Sequence, residues 1–314
     1  MNNDNTACPK RPLFLMGMER SGVTLLHSML KCHPKICLIN SSFATNLAGK
    51  WRSGINTPTQ LNTFLEDAYT TTRFRHTGVP RSSLRNELLD ILPLSFADAC
   101  YRISCTYCAQ INKCNFQYWG EREFFHEQRK LDLVNELFPD FRIIHLVRDG
   151  RAVLSSILKA HEIRGGGFEK DVIKLAGRWK RAIAVDTLLS QDHRYFRLRY
   201  EDMITRPATW LSRICEFLEI DYDDEMLRYR DLGRVTPIHS LLTEKPDTYR
   251  INAWQSESPP PYLRIFDLLT RSALRKLAYA PLPDHISKPI AVVFMEFGTY
   301  RLRHNRLIVN TFGR

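Results

Sequence analysis

Arg20, Ser21 and Thr24 lie in and just after a glycine-bounded loop, Gly17-Met-Glu-Arg-Ser-Gly22, that follows an apolar run and leads at once into an amphipathic segment. A guanidinium, hydroxyls and the free N–H groups of a helix start make an anion site, and phosphate is the anion such loops commonly hold. The Lys that an ATP-binding loop carries after its second glycine is Val23 here. The loop therefore suits a phosphate better than an ATP γ-phosphate with magnesium. A second basic strand end reads Leu146-Val-Arg148-Asp-Gly-Arg151, with Ser156 eight residues beyond Arg148. Arg148 can grip a phosphate with two parallel N–H donors, and Ser156, about two helical turns on, can face the same group. Two separate clamps suggest a nucleotide phosphorylated at both ends. The alternative is a surface pair between Arg148 and Asp149, with Ser156 bonding a helix carbonyl; residue types alone leave both readings open.

Open parallel sheets bind ligands beyond the carboxyl ends of their strands, so each clamp needs a strand before it and a helix behind it. The pattern predicts a strand over 12–18, a helix over 22–31 ended by Cys32-His33-Pro34, and a short strand over 35–40. From 41 to 95 the pattern weakens around Gly54, Pro58, Gly78 and Pro80, leaving short helices at 61–69 and 84–92. Leu131, Leu133, Val134 and Leu137 make a helical stripe over 128–137, and 141–147 reads as a central strand. A helix over 152–160, the loop Gly165-Gly-Gly167, a helix over 172–189 and a strand over 195–199 follow. Helices over 207–218, with Pro207 in the first turn, and over 263–277 complete the chain. This recurrence of strand, crossover helix and strand predicts an α/β fold, an open and mainly parallel central sheet flanked by helices. A flexible tail over 1–11 precedes one domain over 12–314, with a helical and loop insertion at about 41–118.

Composition narrows the function less than the motifs do. Forty-four per cent of the 314 residues are apolar, as in ordinary globular domains. A formal charge of +11 suits anionic ligands, acidic substrates, nucleic acid or an anionic membrane without choosing among them. Nucleic-acid binding would need a basic stripe interleaved with aromatics, and none is found. No apolar run approaches the ~20 residues of a membrane span. The start lacks a basic segment followed by an apolar one, so the expectation is a cytoplasmic protein. Cys105 and Cys108 form a CxxC with Cys100 and Cys114 close by, but no second CxxC exists to complete a zinc site. Ordinary thiols on a helix are the plain reading, with a zinc site or a local disulfide as alternatives.

Four motifs in order give a resemblance. The sequence is similar to the sulfotransferases that use 3'-phosphoadenosine 5'-phosphosulfate, especially their bacterial and tyrosylprotein sulfotransferase-like branch. Arg20-Ser-Gly-Val-Thr-Leu25 with His33-Pro34 resembles the family's opening Arg-Ser-Gly-Thr-Thr-Leu. Trp119-Gly-Glu-Arg122 resembles its Trp-Gly-Asp-Lys, and Leu146 to Ala152 with Ser156 its Leu-Val-Arg-Asp-Gly-Arg element. Tyr200-Glu-Asp-Met203 with Pro207 and Phe217-Leu-Glu-Ile220 resembles the last.

The resemblance implies a P-loop-like fold and a metal-free, in-line transfer of a sulfuryl group to a hydroxyl, a phenol or an amine, leaving 3'-phosphoadenosine 5'-phosphate. It implies that Arg20, Ser21, Gly22, Val23, Thr24 and Leu25 hold the 5'-phosphosulfate, Arg148 and Ser156 the 3'-phosphate, with Tyr200 in the same site. Arg250 is the nearest match to a late basic residue closing over the nucleotide, preceded by a hydroxyl at Ser240 or Thr243. Arg20 and Arg122 are the groups placed to stabilise the departing oxygen. Arg122, replacing a lysine, keeps the charge but is a poor proton donor.

The departure concerns the base. Where many relatives place a carboxylate, this chain reads Ile39-Asn-Ser-Ser42. An alcohol acceptor needs a base within direct or one-water reach, and the candidates are His161, His76, Glu162 and Glu123. Arg73, Arg75, Arg81, Arg85 and Arg164 could meet an acidic acceptor, and Tyr69, Phe74, Tyr101 and Tyr107 could line its pocket or pack in the core. A small molecule, a glycan or lipid and a peptide all stay open as acceptor, as does the oligomeric state. Two other readings stand beside transfer: a nucleotide- or polyanion-binding protein of this fold without activity, and a small-molecule kinase.

Overall fold

Five strands, all parallel, form the centre of the computed structural model, which describes residues 11–123, 128–167, 169–232, 248–258, 260–282, 292 and 294–299. They are β1 (Arg11–Met16), β2 (Ile36–Ile39), β3 (Tyr118–Glu123), β4 (Arg142–Val147) and β5 (Tyr195–Arg199). The order across the sheet is β2-β3-β1-β4-β5, so the chain reverses its direction of travel at β1. The carboxyl ends of β1, β3 and β4 therefore lie side by side, as a ligand crevice in such sheets requires. β2 and β4 are buried along their whole length and, apart from Arg142 and His145 on β4, are apolar. Gly120 lets β3 approach β1, because a Cβ there would collide with the carbonyl of Leu13.

Side chains alternate between the two sheet faces. Leu13, Leu15, Tyr118, Ile144 and Leu146 pack on α1 (Val23–Cys32) and, across it, on a 3-10 segment over Asp224–Leu232. Phe14, Met16, Cys37, Trp119 and Ile143 face the helices of the insertion. These are α2 (Phe43–Trp51), α3 (Pro58–Thr70), α4 (Thr72–Arg75), α5 (Arg81–Leu89) and α6 (Phe96–Gln110), followed after β3 by α7 (Gln128–Leu137). α8 (Gly150–Arg164) and α9 (Val172–Leu189) flank β4, and α10 (Tyr200–Thr205) and α11 (Pro207–Phe217) follow β5. α12 (Tyr249–Asn252), α13 (Trp254–Glu257) and α14 (Pro260–Lys276) come last, α14 packing on α9.

The sequence pattern weakens over 41–95, yet this region is mostly helical and its aromatics are core. Phe64, Phe74 and Phe96 are fully buried, Trp51 and Phe64 meet edge to face, and Tyr107 is 7% exposed. Tyr69 donates from its hydroxyl to the carbonyl of Val79 at 2.6 Å. Phe74, Tyr69 and Tyr107 therefore pack rather than line an open pocket. α2 was invisible locally because its cap is tertiary: Ala44 and Thr45 donate their N–H groups to the carboxylate of Glu121 on β3 at 3.3 and 3.1 Å. A local disulfide within 100–114 is corrected too. Cys108 on α6 is bonded to Cys37 on β2, 71 residues away, and not to Cys105. Residues 1–10 of the expected tail, and Ser240 and Thr243, lie outside the described residues.

Candidate active site

The loop after β1 turns back on itself before α1 begins. Ser21 donates its N–H to the carbonyl of Met18 at 3.1 Å, and Arg20 sits in the left-handed region at φ 66°. Gly22, at φ 97°, caps α1, and a Cβ on it would lie 2.5 Å from the Tyr200 ring. A side chain is thus excluded twice, by backbone and by neighbour. Leu25 and Leu26 donate to the carbonyl of Gly22, while the amides of Gly22, Val23 and Thr24 have no acceptor among the described residues. Such open amides at a helix start, backed by the helix dipole, hold anions. Val23 is buried, so only its backbone can serve.

Arg148 joins this loop to the rest of the site. Its Nη1 donates to the carbonyl of Arg20 and its Nη2 to the carbonyl of Arg250, both at 3.0 Å. The guanidinium lies 4.2 Å from the centre of the Tyr200 ring, and the Arg148 carbonyl accepts from Nε1 of Trp179 at 3.2 Å. The surface pair with Asp149 does not form. Asp149 caps α8 and binds Arg151 at 2.7 Å, and Arg151 also reaches Asp267 at 3.2 Å. Arg20 in turn donates from Nε to the hydroxyl of Ser156 at 3.0 Å. The two clamps read from the sequence are therefore one connected network.

This network fits an anion of high charge. Burial first, then Arg148 and Arg164, pull the Arg20 pKa below its ordinary value. Nε of Arg148 and Nε of Arg250 are buried with no hydrogen-bond partner among the described residues. Glu19, which acts on Arg20, is engaged by Arg178 at 2.8 Å, and Glu257 lies 3.6 Å from Arg250. Crowded cations with orphaned donors are the complement of a polyphosphorylated ligand.

Beside it, at the carboxyl ends of β2 and β3, a second cluster forms on the α1 side of the sheet. Arg122 donates from Nη1 to Oδ1 of Asn40 at 3.3 Å, and its backbone N–H donates to the carbonyl of Ser41 at 3.2 Å. Burial, then Arg73, lowers its pKa to about 10. His27 on α1 is 7% exposed, and burial, then Arg122 and Lys31, hold it at about 3. On the opposite face, Glu121 and Glu123 meet Thr45, and Glu123 pairs with Lys130 at 3.2 Å. Burial and Glu123 push the Glu121 carboxyl well up.

A family model described as "Sulfotransferase family" matches residues 12–224. The chain belongs to the sulfotransferase family. Protein-tyrosine sulfotransferase of Drosophila melanogaster is 23% identical over 94% of this chain and 57% of its own length. Protein-tyrosine sulfotransferase A of Caenorhabditis elegans is 24% identical over 90% of this chain and 71% of its own. The chain thus spans little more than half of the fly relative. Among solved structures, the sulfotransferase domain from the curacin biosynthetic pathway superposes with a TM-score of 0.60 at 20% identity, covering 87% of this chain and 99% of that domain. It shares the fold.

Against the sulfotransferase motifs, the structure brings Arg20, Ser21, Gly22, Val23, Thr24, Arg148, Ser156, Tyr200 and Arg250 into one site. Leu25 packs among apolar neighbours of α1. Arg122 stands at the second cluster. The base candidates fare differently. His76 and Glu162 are exposed, Glu123 lies on the far face of β3, and His161 is half-buried in the last turn of α8, near Arg164. Arg81 is paired with Glu66 and Arg85 with Asn62, which accounts for both within the insertion. Sequence reasoning passed over His27 and Asn40.

Proposed function

We propose that this chain transfers a sulfuryl group from 3'-phosphoadenosine 5'-phosphosulfate to a hydroxyl acceptor, and that the acceptor is a protein tyrosine. The observation that carries the donor half is the union of Arg20, Arg148, Ser156 and the open amides of α1 in one network. When bound, the donor supplies the sulfuryl group on a phosphate leaving group. Arg20, Ser21 and the amides of Gly22 to Thr24 hold its 5' end. Arg148 and Ser156 take the 3'-phosphate, with Tyr200 and Arg250 beside the nucleotide. Arg20 and Arg122 supply positive charge where negative charge grows on the departing oxygen. With a pKa of about 10, Arg122 remains protonated at neutral pH and serves as a fixed charge.

The acceptor class is supported by the names of the relatives, both protein-tyrosine sulfotransferases. A phenol, ionising near ~10, asks less of a base than an aliphatic alcohol does. The Cys37–Cys108 disulfide supports work in an oxidising compartment, a different reading from the cytoplasmic expectation.

Calorimetric titration with 3'-phosphoadenosine 5'-phosphate, with 5'-AMP and ATP as controls, tests the donor half. Micromolar binding that needs the 3'-phosphate is expected. Equal weak binding of all three, or preference for magnesium-ATP, overturns it. Incubation with radiolabelled sulfated donor and a tyrosine-containing acidic peptide tests the acceptor, and absence of label on tyrosine rejects that class.

A further inference from the structure

The anion loop itself carries an acid. Glu19 precedes Arg20 in Gly17-Met-Glu-Arg-Ser-Gly22. A carboxylate beside the open amides of a helix start competes for the place of the anion they would hold. The structure shows where that charge goes. Nη2 of Arg178 on α9 lies 2.8 Å from Oε1 of Glu19, while Arg20 donates from Nε to Ser156 on α8. Two successive side chains thus leave the loop for two different helices, across a left-handed backbone at Arg20 (φ 66°).

The Arg178–Glu19 pair is a poor stabiliser of the fold. Its side chains are 38% and 31% exposed, and ion pairs as open as this contribute little to folding. Its place in the molecule accounts for it better. The next residue of α9, Trp179, is buried and donates from Nε1 to the carbonyl of Arg148 at 3.2 Å. Arg178 and Trp179 therefore tie both clamps of the anion site to one turn of one helix. Glu19 also acts on Arg20, where it offsets part of the repulsion from Arg148 and Arg164. Without an anion that is favourable. With a phosphate on the loop, the same carboxylate repels it unless its charge is drawn elsewhere.

We propose that Arg178 is a positioning residue for the sulfated nucleotide: it draws the Glu19 carboxylate toward α9, so that Arg20 and the amides of α1 are left to the 5' end of the donor. The proposal rests on the donor reading above. Arg178 acts through Glu19 and not on the nucleotide. Removing Arg178 releases a carboxylate next to the 5'-phosphate, and removing Glu19 as well leaves nothing to be held away. Loss of Arg178 therefore harms ligands that carry a 5'-phosphate, and only while Glu19 is present.

The test is calorimetry of the full chain with 3'-phosphoadenosine 5'-phosphate, in wild type, Arg178→Gln, Glu19→Gln and the double variant. R178Q should bind about tenfold or more weakly than wild type. E19Q should bind at least as tightly as wild type. R178Q added to E19Q should cost less than about twofold, a non-additivity that marks action through Glu19. With 3'-AMP, which has no 5'-phosphate, R178Q should match wild type within about twofold. An R178Q affinity for the bisphosphate within about twofold of wild type overturns the proposal alone. So does an equal loss in the E19Q background or with 3'-AMP, either of which makes Arg178 a direct or merely structural contributor. An E19Q that binds more than about threefold more weakly than wild type overturns it without recourse to R178Q. Failure of wild type to bind the bisphosphate overturns the donor reading, and this proposal with it.

Discussion

Arg148 and Arg122 are both guanidiniums at the carboxyl end of a central strand, and they are held in opposite ways. Arg148 forks onto two carbonyls, stacks on Tyr200 and has its own carbonyl tied by Trp179. Among the described residues Arg122 makes one side-chain hydrogen bond, at 3.3 Å with Asn40, and its Nε is buried without a partner. The first arrangement is preorganised and demands one ligand geometry. The second is held by fewer contacts and is the less constrained of the two. A family that keeps its donor and changes its acceptor would be expected to divide its rigidity in this way.

The strongest way to break the comparison is to loosen the rigid side. R148A removes a buried charge-assisted fork, and affinity for 3'-phosphoadenosine 5'-phosphate should fall by about 100-fold or more, since such bonds are each worth about 1.5–3 kcal/mol. R148K keeps the charge without the fork and should recover only part of that loss by calorimetry. If R148K binds like wild type, the fork carries no specificity and the contrast with Arg122 is empty.

A second change strikes the other side. C37S removes the link between β2 and α6 and should lower unfolding free energy by about 2–4 kcal/mol in urea melts. Nucleotide affinity should stay within threefold, because the linked elements do not carry the anion loop.

Acidification separates the halves more finely. His145 on β4 donates from Nδ1 to the Tyr195 hydroxyl at 2.6 Å, whose own proton goes to Asp186 at 3.0 Å. Burial first, then Arg197, depress it to about 3, and His27 is depressed to the same value. A depressed histidine contributes stability in full above its unfolded pKa near ~6.5 and loses it as pH falls toward 3. Each therefore removes up to about 1.4 kcal/mol per pH unit across that window. H145Q should remove its share of the slope in denaturation curves from pH 7 to 4. The smallest effect belongs to R81A, which breaks an exposed pair with Glu66 and should change stability by no more than about 0.5 kcal/mol, with transfer unaltered.

What the sequence disclosed follows from how local each signal is. β4, β5 and α9 are mostly apolar or amphipathic runs, and the structure has them within a residue or two of the expected bounds. The anion loop is equally local, a few residues whose types state their chemistry. β3 is different. Glu121 and Glu123 break the apolar pattern because they point at the N-terminus of α2, so strand and helix hide each other until both are placed. The Cys37–Cys108 pairing needs the whole insertion to be folded before it exists. His27 is silent for another reason. On a mostly apolar helix a lone histidine reads as packing, and only its buried Nε2, without a partner among the described residues, distinguishes it.

The reach of Arg148 has a thermodynamic consequence. Its two carbonyl partners are 128 and 102 residues away, so the anion site exists only when distant stretches of the chain have come together. Arg148 and Arg164 both repel Arg20 there, and an anion converts that repulsion into cohesion. Nucleotide binding is then coupled to the folding equilibrium of the entire chain, about 2.7 kcal/mol at one hundred times the dissociation constant. Melting temperature becomes a concentration gauge for the donor, and the abundance of the protein in a cell would follow the supply of its own substrate.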